Sequence, residues 1–146
     1  MTRRARLILV VEDETSDALI LREALTAVPG AEFLKLEVAT SAEAGLEFLR
    51  GRGPDEPKPA LVLLDLNLPG ADGFEFLASL RADPVLRATP VVVLTTSRSG
   101  ADVARAFEAG ANAYLLKLSS YDDTVRQLAA LERFWFGFSR LPDQAD

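Results

Sequence analysis

Five polar residues in this 146-residue chain each stand just past a short apolar run: Glu12 and Asp13 after residues 7–11, Asp65 after 60–64, Thr95 after 91–94 and Lys117 after 113–116. If those runs are strands of one sheet, the five side chains converge on one rim. Three carboxylates held together repel one another, and removal from water sharpens the repulsion. Something positive must offset them, and a divalent hard cation and Lys117 are the candidates. The chain has no histidine and no cysteine, so a metal site must use oxygen ligands, which points to Mg²⁺ or Ca²⁺. A Mg²⁺ site built from a few carboxylates, a backbone carbonyl, waters and a substrate phosphate fits this supply. The cation can then bridge a carboxylate and a phosphoryl oxygen, while Thr95 donates to a second oxygen and Lys117 pairs with a third. One carboxylate remains as a nucleophile. Asp65, on the central strand, is the best placed.

Singly, each residue has an ordinary structural reading. The acidic run suits a solvated turn before a helix. Asp65 suits a helix cap, Thr95 a strand and Lys117 a surface. Their joint placement, at every strand end but one, is what points to chemistry.

The elements that position them read as alternating strands and helices. Residues 7–11 form a buried parallel strand. A helix over 16–28 carries Leu19, Ile20, Ala24 and Val28 on one stripe and is closed by Pro29-Gly30. Residues 33–39 form a more polar strand, suited to an edge. Thr40-Ser41-Ala42-Glu43 has the pattern of a capping box and opens a second helix. A Gly- and Pro-rich loop covers 51–59. After the strand at 60–64, a turn at Pro69-Gly70 leads to a helix over 73–81. A strand at 91–94, a helix over 101–109 closed by Gly110, and a strand at 113–116 follow. A last helix, capped near Ser120, runs into an aromatic stretch. Such alternation predicts an α/β fold: a doubly wound, five-stranded parallel sheet with five helices, of flavodoxin-like topology and strand order 2-1-3-4-5.

Composition narrows the classes. Hydrophobic residues make up 49% and charged residues 26%, ordinary for a globular domain. No apolar run approaches the roughly 18 residues of a membrane span, and the short basic start lacks the apolar core of a signal peptide. The absence of cysteine fits a cytoplasmic protein. A net charge of −6 argues against nucleic-acid binding.

Four blocks carry a resemblance. They are Val10-Val11-Glu12-Asp13-Glu14; Leu63-Leu64-Asp65-Leu66-Asn67-Leu68-Pro69 with Gly73; Pro90-Val91-Val92-Val93-Leu94-Thr95; and Gly110-Ala111-Asn112-Ala113-Tyr114-Leu115-Leu116-Lys117. In this order the chain resembles the receiver domain of two-component response regulators. The resemblance implies that Asp65 is a phosphoacceptor taking a phosphoryl group from a sensor histidine kinase. It implies that Asp13 and Asp65 bind Mg²⁺ directly, with the Asn67 carbonyl, and Glu12 through water. Thr95 and Lys117 match the hydroxyl and the lysine that meet the phosphoryl group, and Tyr114 matches the aromatic switch residue that follows Thr95. Asn67 and Ser97 occupy positions that tune phosphoryl lifetime. One departure stands out: Leu118 follows the lysine where the family usually has proline. A non-proline cis bond costs about 3–4 kcal/mol, so Lys117-Leu118 should be trans or strained.

The loop at 51–59 and the ending Phe134-Trp135-Phe136-Gly137-Phe138-Ser139-Arg140-Leu141-Pro142 resemble small regulators that serve phytochrome-type histidine kinases. Residues 1–141 are expected to form the receiver domain, and 142–146 a short polar tail, with no output domain. One helical stripe cannot bury Phe134, Trp135, Phe136 and Phe138 together, so the aromatic ending predicts a homodimer interface. Two other readings fit less well. A phosphohydrolase with an aspartyl-phosphate intermediate commonly needs a second aspartate two residues on, where Asn67 stands. A flavin-binding module calls for a hydroxyl- and glycine-rich first loop, where this chain is acidic. The expected role is a phosphoacceptor switch, not a turnover enzyme.

Overall fold

Apolar runs too short for helices, rich in Val, Leu and Ile, pair as parallel strands in the computed structural model, which describes residues 4–53, 55–68 and 72–142. The strands are β1 (Arg6–Val11), β2 (Leu34–Ala39), β3 (Leu61–Leu64), β4 (Val91–Thr95) and β5 (Ala113–Leu116). They form one sheet in the order β2-β1-β3-β4-β5. The helices are α1 (Thr15–Thr26), α2 (Ala42–Arg50), α3 (Gly73–Ala82), α4 (Gly100–Glu108) and α5 (Tyr121–Leu131). The doubly wound order expected from the sequence is therefore the order observed, with β2 at an edge.

Strand side chains alternate between two cores, as the pleat requires. Leu9, Val11, Val62, Leu64, Val91 and Val93 pack with Leu49, Phe76, Leu77 and Leu80 from α2 and α3. Ile8, Val10, Leu61, Leu63, Val92 and Leu94 pack with Leu21, Ala24 and Leu25 of α1 and Leu128 and Leu131 of α5. Helices thus cover both faces, and every strand delivers its carboxyl end to the same side.

Several local expectations are corrected. Helix α1 buries Ala18, Leu21, Ala24 and Leu25, whereas Leu19 and Ile20 are 54% and 43% exposed. The segment carries two apolar stripes, and the one spaced 18, 21, 25 meets the sheet. Val28 is buried, but beyond the helix. Ser41, not Thr40, caps α2, its hydroxyl accepting from the Ala44 amide at 3.0 Å. Because the helix starts at Ala42, Glu43 sits one place too early to close a capping box. Strand β2 starts one residue later than expected, and the carbonyl of Phe33 accepts from the Arg6 amide. The Pro69-Gly70 turn and tail residues 143–146 lie outside the described residues.

The last helix does not stop at Leu131. It continues as a π-helical segment, Glu132–Phe138. Trp135 and Phe136 turn back onto the α1/α5 core, Phe136 meeting Phe33 edge-on at 5.8 Å between centroids. Phe134 and Phe138 stay outside, 56% and 73% exposed. The expectation that one stripe cannot hold all four aromatics matches this division.

At the far end of the sheet, Arg81 braces α3 against the strand ends. Its guanidinium donates to the carbonyls of Gly110, Arg87 and Thr89 and to the Asn112 side chain. Gly110 closes α4 at φ +108, and a Cβ there would also strike the Arg81 side chain.

Candidate functional site

The strand register sets the site. Val11 pairs with Leu64, so Glu12 and Asp65 leave neighbouring strands side by side. The Asp65 amide donates to the Val11 carbonyl at 3.0 Å, and the Glu12 amide to the Ala39 carbonyl at 2.9 Å. Backbone pairing thus continues past the formal strand ends and fixes where both carboxylates start. On the other side, the Lys117 amide donates to the Thr95 carbonyl at 2.8 Å, which joins the ends of β4 and β5.

Glu12, Asp13 and Asp65 each offer a carboxylate oxygen within 4.8 Å of the others. Glu12 and Asp65 are buried, and Asp13 is half-buried at the mouth. An all-oxygen trio of this charge suits a hard divalent cation, so the donor chemistry fits Mg²⁺. The Asn67 amide donates to one Asp65 oxygen at 3.1 Å. That bond pins the loop after β3, with Asn67 itself at the surface.

Lys117 crosses the site. Its ammonium donates to Glu12, to Asp65 at 3.0 Å and to Asp17 at 2.8 Å. Burial alone would lower the lysine pKa, but the Asp17, Glu12 and Asp65 carboxylates hold it above the ordinary value. The Lys117-Leu118 peptide is trans, as are all others among the described residues, which settles the expectation raised by the missing proline.

Glu12 moves the other way. Burial, then the hydrogen-bonded neighbour Asp65, raise its pKa from 4.5 to about 7 against the opposing pull of Lys117. A carboxyl raised on folding stabilises the fold below its unfolded pKa and loses that contribution as pH rises through the folded one. Lys117, raised, and the exposed Asp83 and Asp123, lowered, keep constant charge across this window. In chelator, the melting temperature should therefore fall by roughly 5 °C between pH 5 and pH 8. The Glu12→Gln protein should lack that fall in the same melts, and added Mg²⁺ should reverse it in the wild type.

Thr95 is fully buried, and its hydroxyl oxygen accepts from the Ser97 amide at 3.4 Å. Tyr114 is half-buried, and its hydroxyl donates to the Ser97 carbonyl at 2.9 Å. The Ser97 hydroxyl in turn donates to Asp102, in the first turn of α4, at 2.6 Å. Thr95 and Tyr114 are thus joined through Ser97.

Sequence reasoning missed Asp17 and Asp102. Each is an isolated carboxylate in a first helical turn, where dipole complementarity is the common explanation. The available signal was position, since the amino ends of helices following strands lie on the same rim as the strand ends.

A response regulator receiver domain model matches residues 8–129. The response regulator Rcp1 of Synechocystis is 38% identical over 94% of this chain and 93% of its own. Its Mn²⁺-bound crystal structure superposes with a TM-score of 0.81, covering 94% of this chain and 99% of that one at 37% identity. The probable methanogenesis regulatory protein FilR2 of Methanothrix harundinacea is 37% identical over 95% of this chain and 89% of its own. The phosphorylated cyanobacterial phytochrome response regulator RcpA superposes with a TM-score of 0.85, at 31% identity over 94% of this chain and 99% of that one. With a family match over most of its length and relatives aligned almost end to end, the chain belongs to the response regulator receiver domain family.

Proposed function

We propose that this protein is a phosphoacceptor switch in which Asp65 takes a phosphoryl group from a histidine kinase, with Mg²⁺ in the acidic trio. The observation that carries this is the contact of the Lys117 ammonium with Asp65 inside a three-carboxylate cluster at the carboxyl edge of the sheet. Asp13, Asp65 and the Asn67 carbonyl would hold the cation directly, and Glu12 through a water. When bound, the cation offsets the carboxylate charge and draws a phosphoryl oxygen to the trio.

The chain's own residues do the rest. An Asp65 carboxylate oxygen attacks phosphorus, and the bond from phosphorus to the donor breaks with its electron pair leaving on the donor. Lys117 passes one of its three donors from the Asp65 oxygen to a phosphoryl oxygen. The Thr95 hydroxyl turns toward another, which loosens Ser97 and frees Tyr114 to follow. The result is an altered surface around Ser97, α4 and β5, not a released product.

The kinship with Rcp1 and with a phytochrome response regulator supports a phytochrome-type kinase as the donor. No helix among the described residues is long and apolar enough to cross a membrane. A cytoplasmic setting and an output through protein contacts, not nucleic acid, complete the reading. Incubation with acetyl phosphate and Mg²⁺ tests it: an acid-stable, base-labile acyl phosphate on one residue supports it, and none refutes it.

The aromatic ending supports a homodimer formed by α5 and the segment after it. Phe134 and Phe138 supply its exposed contacts, while Trp135 and Phe136, packed on their own core, hold the segment in place. Light scattering at micromolar concentration should give twice the monomer mass. The Phe134→Ser, Phe138→Ser double variant should give the monomer mass, with a melting temperature that no longer rises with protein concentration.

A further inference from the structure

We propose that Asp17 is a positioning residue that stations the Lys117 ammonium over Asp65, an inference that rests on the acceptor reading above. An ammonium has three donors, and here they meet Glu12, Asp17 and Asp65. Glu12 and Asp65 belong to the acidic trio, and both acquire new partners when a cation and a phosphoryl group arrive. Asp17 lies outside the trio, so it is the one anchor that the reaction leaves unchanged.

The elements suit the role. Asp17 sits in the first turn of α1, and Ala18 and Leu21 beside it are buried, so its backbone cannot drift. Asp17 and Lys117 both line a small cavity of about 60 Å³, together with Leu21, Leu94, Thr124 and Gln127. The neighbouring Leu118 is 42% exposed. Without Asp17, no carboxylate outside the trio holds the ammonium among the described residues. Glu12 and Asp65 are then its two remaining partners, and its place over Asp65 is no longer fixed once they turn to the cation and the phosphoryl group. Asp17 itself forms and breaks no covalent bond.

The test is the initial rate of Asp65 labelling by acetyl phosphate with saturating Mg²⁺. Asp17→Asn, which removes the charge and keeps the shape, should slow it about tenfold, the scale of a displaced catalytic group. Asp17→Glu keeps the charge and should recover most of the rate. In a Lys117→Gln background, Asp17→Asn should change nothing further, because its effect runs through the ammonium. Equal rates for wild type and Asp17→Asn overturn the role of Asp17 alone. So does the same slowing with and without Lys117, since the carboxylate then acts by general charge. A wild-type chain that does not label at all overturns the acceptor reading, and this one with it.

Discussion

The Asp65→Asn protein is expected to take up no acid-stable phosphoryl group under conditions that label the wild type fully. The amide oxygen of asparagine is neutral and a poor nucleophile, so the attacking atom is lost, not weakened. The alternatives do not stand in for it. Glu12 is buried and bonded to Lys117 and to the Glu14 amide. Asp13 is more open, but no ammonium reaches it among the described contacts. The loss should exceed about a thousandfold, the scale on which removing a covalent nucleophile acts. Intact-mass spectrometry after acetyl phosphate treatment reads it directly. Asparagine keeps the volume and can still receive the Asn67 amide bond, so the fold should persist. Labelling of the variant to the wild-type extent would place the acceptor elsewhere.

The second large effect is on stability. Gly73 opens α3 and packs directly behind the acceptor loop, its amide donating to the Leu66 carbonyl at 3.1 Å. A Cβ on residue 73 would lie 2.6 Å from both the Asp65 carbonyl oxygen and the Leu66 Cα. Both are backbone atoms, so neither can swing aside as a side-chain tip could. Gly73→Ala should therefore cost roughly 3 kcal/mol or more, at the overpacking end of single substitutions. Urea unfolding should show the midpoint falling with little change in slope. Any relaxation must push the Asp65 backbone, so the fraction that remains folded should also label slowly. A slope change without a midpoint shift would argue against a local clash.

Both effects concern residues that the sequence already marked, and the reason is physical. Strand ends are legible because a parallel strand buried on both faces must be apolar throughout, so the first polar residue after it is conspicuous. Asp65, Glu12, Thr95 and Lys117 stand out this way, and the alternation of strands with helices points to a parallel sheet that brings them to one edge. Helix faces are less legible. In α1 Ala18 with Leu21 and Leu19 with Ile20 offer two stripes, and only the sheet chooses between them. The cap of α2 is ambiguous because Thr40 and Ser41 are both competent hydroxyls. Asp17 was illegible for another reason: its importance lies in a partner 100 residues away, and no local pattern encodes that. The π-helical turn after Leu131 likewise answers to packing, since Trp135 and Phe136 reach the core together there.

The contacts of Lys117 also bear on when the protein becomes competent. Its partners lie 105, 100 and 52 residues upstream. During synthesis the carboxylates emerge long before the ammonium that balances them, and closing such distant pairs is the slow part of folding. Among the described residues, Lys117 is the cation that pairs with Asp65, and it follows directly on β5. The contact of Lys117 with Asp65 thus forms only once β5 has joined the sheet. Lys117 is in this sense also a checkpoint on assembly.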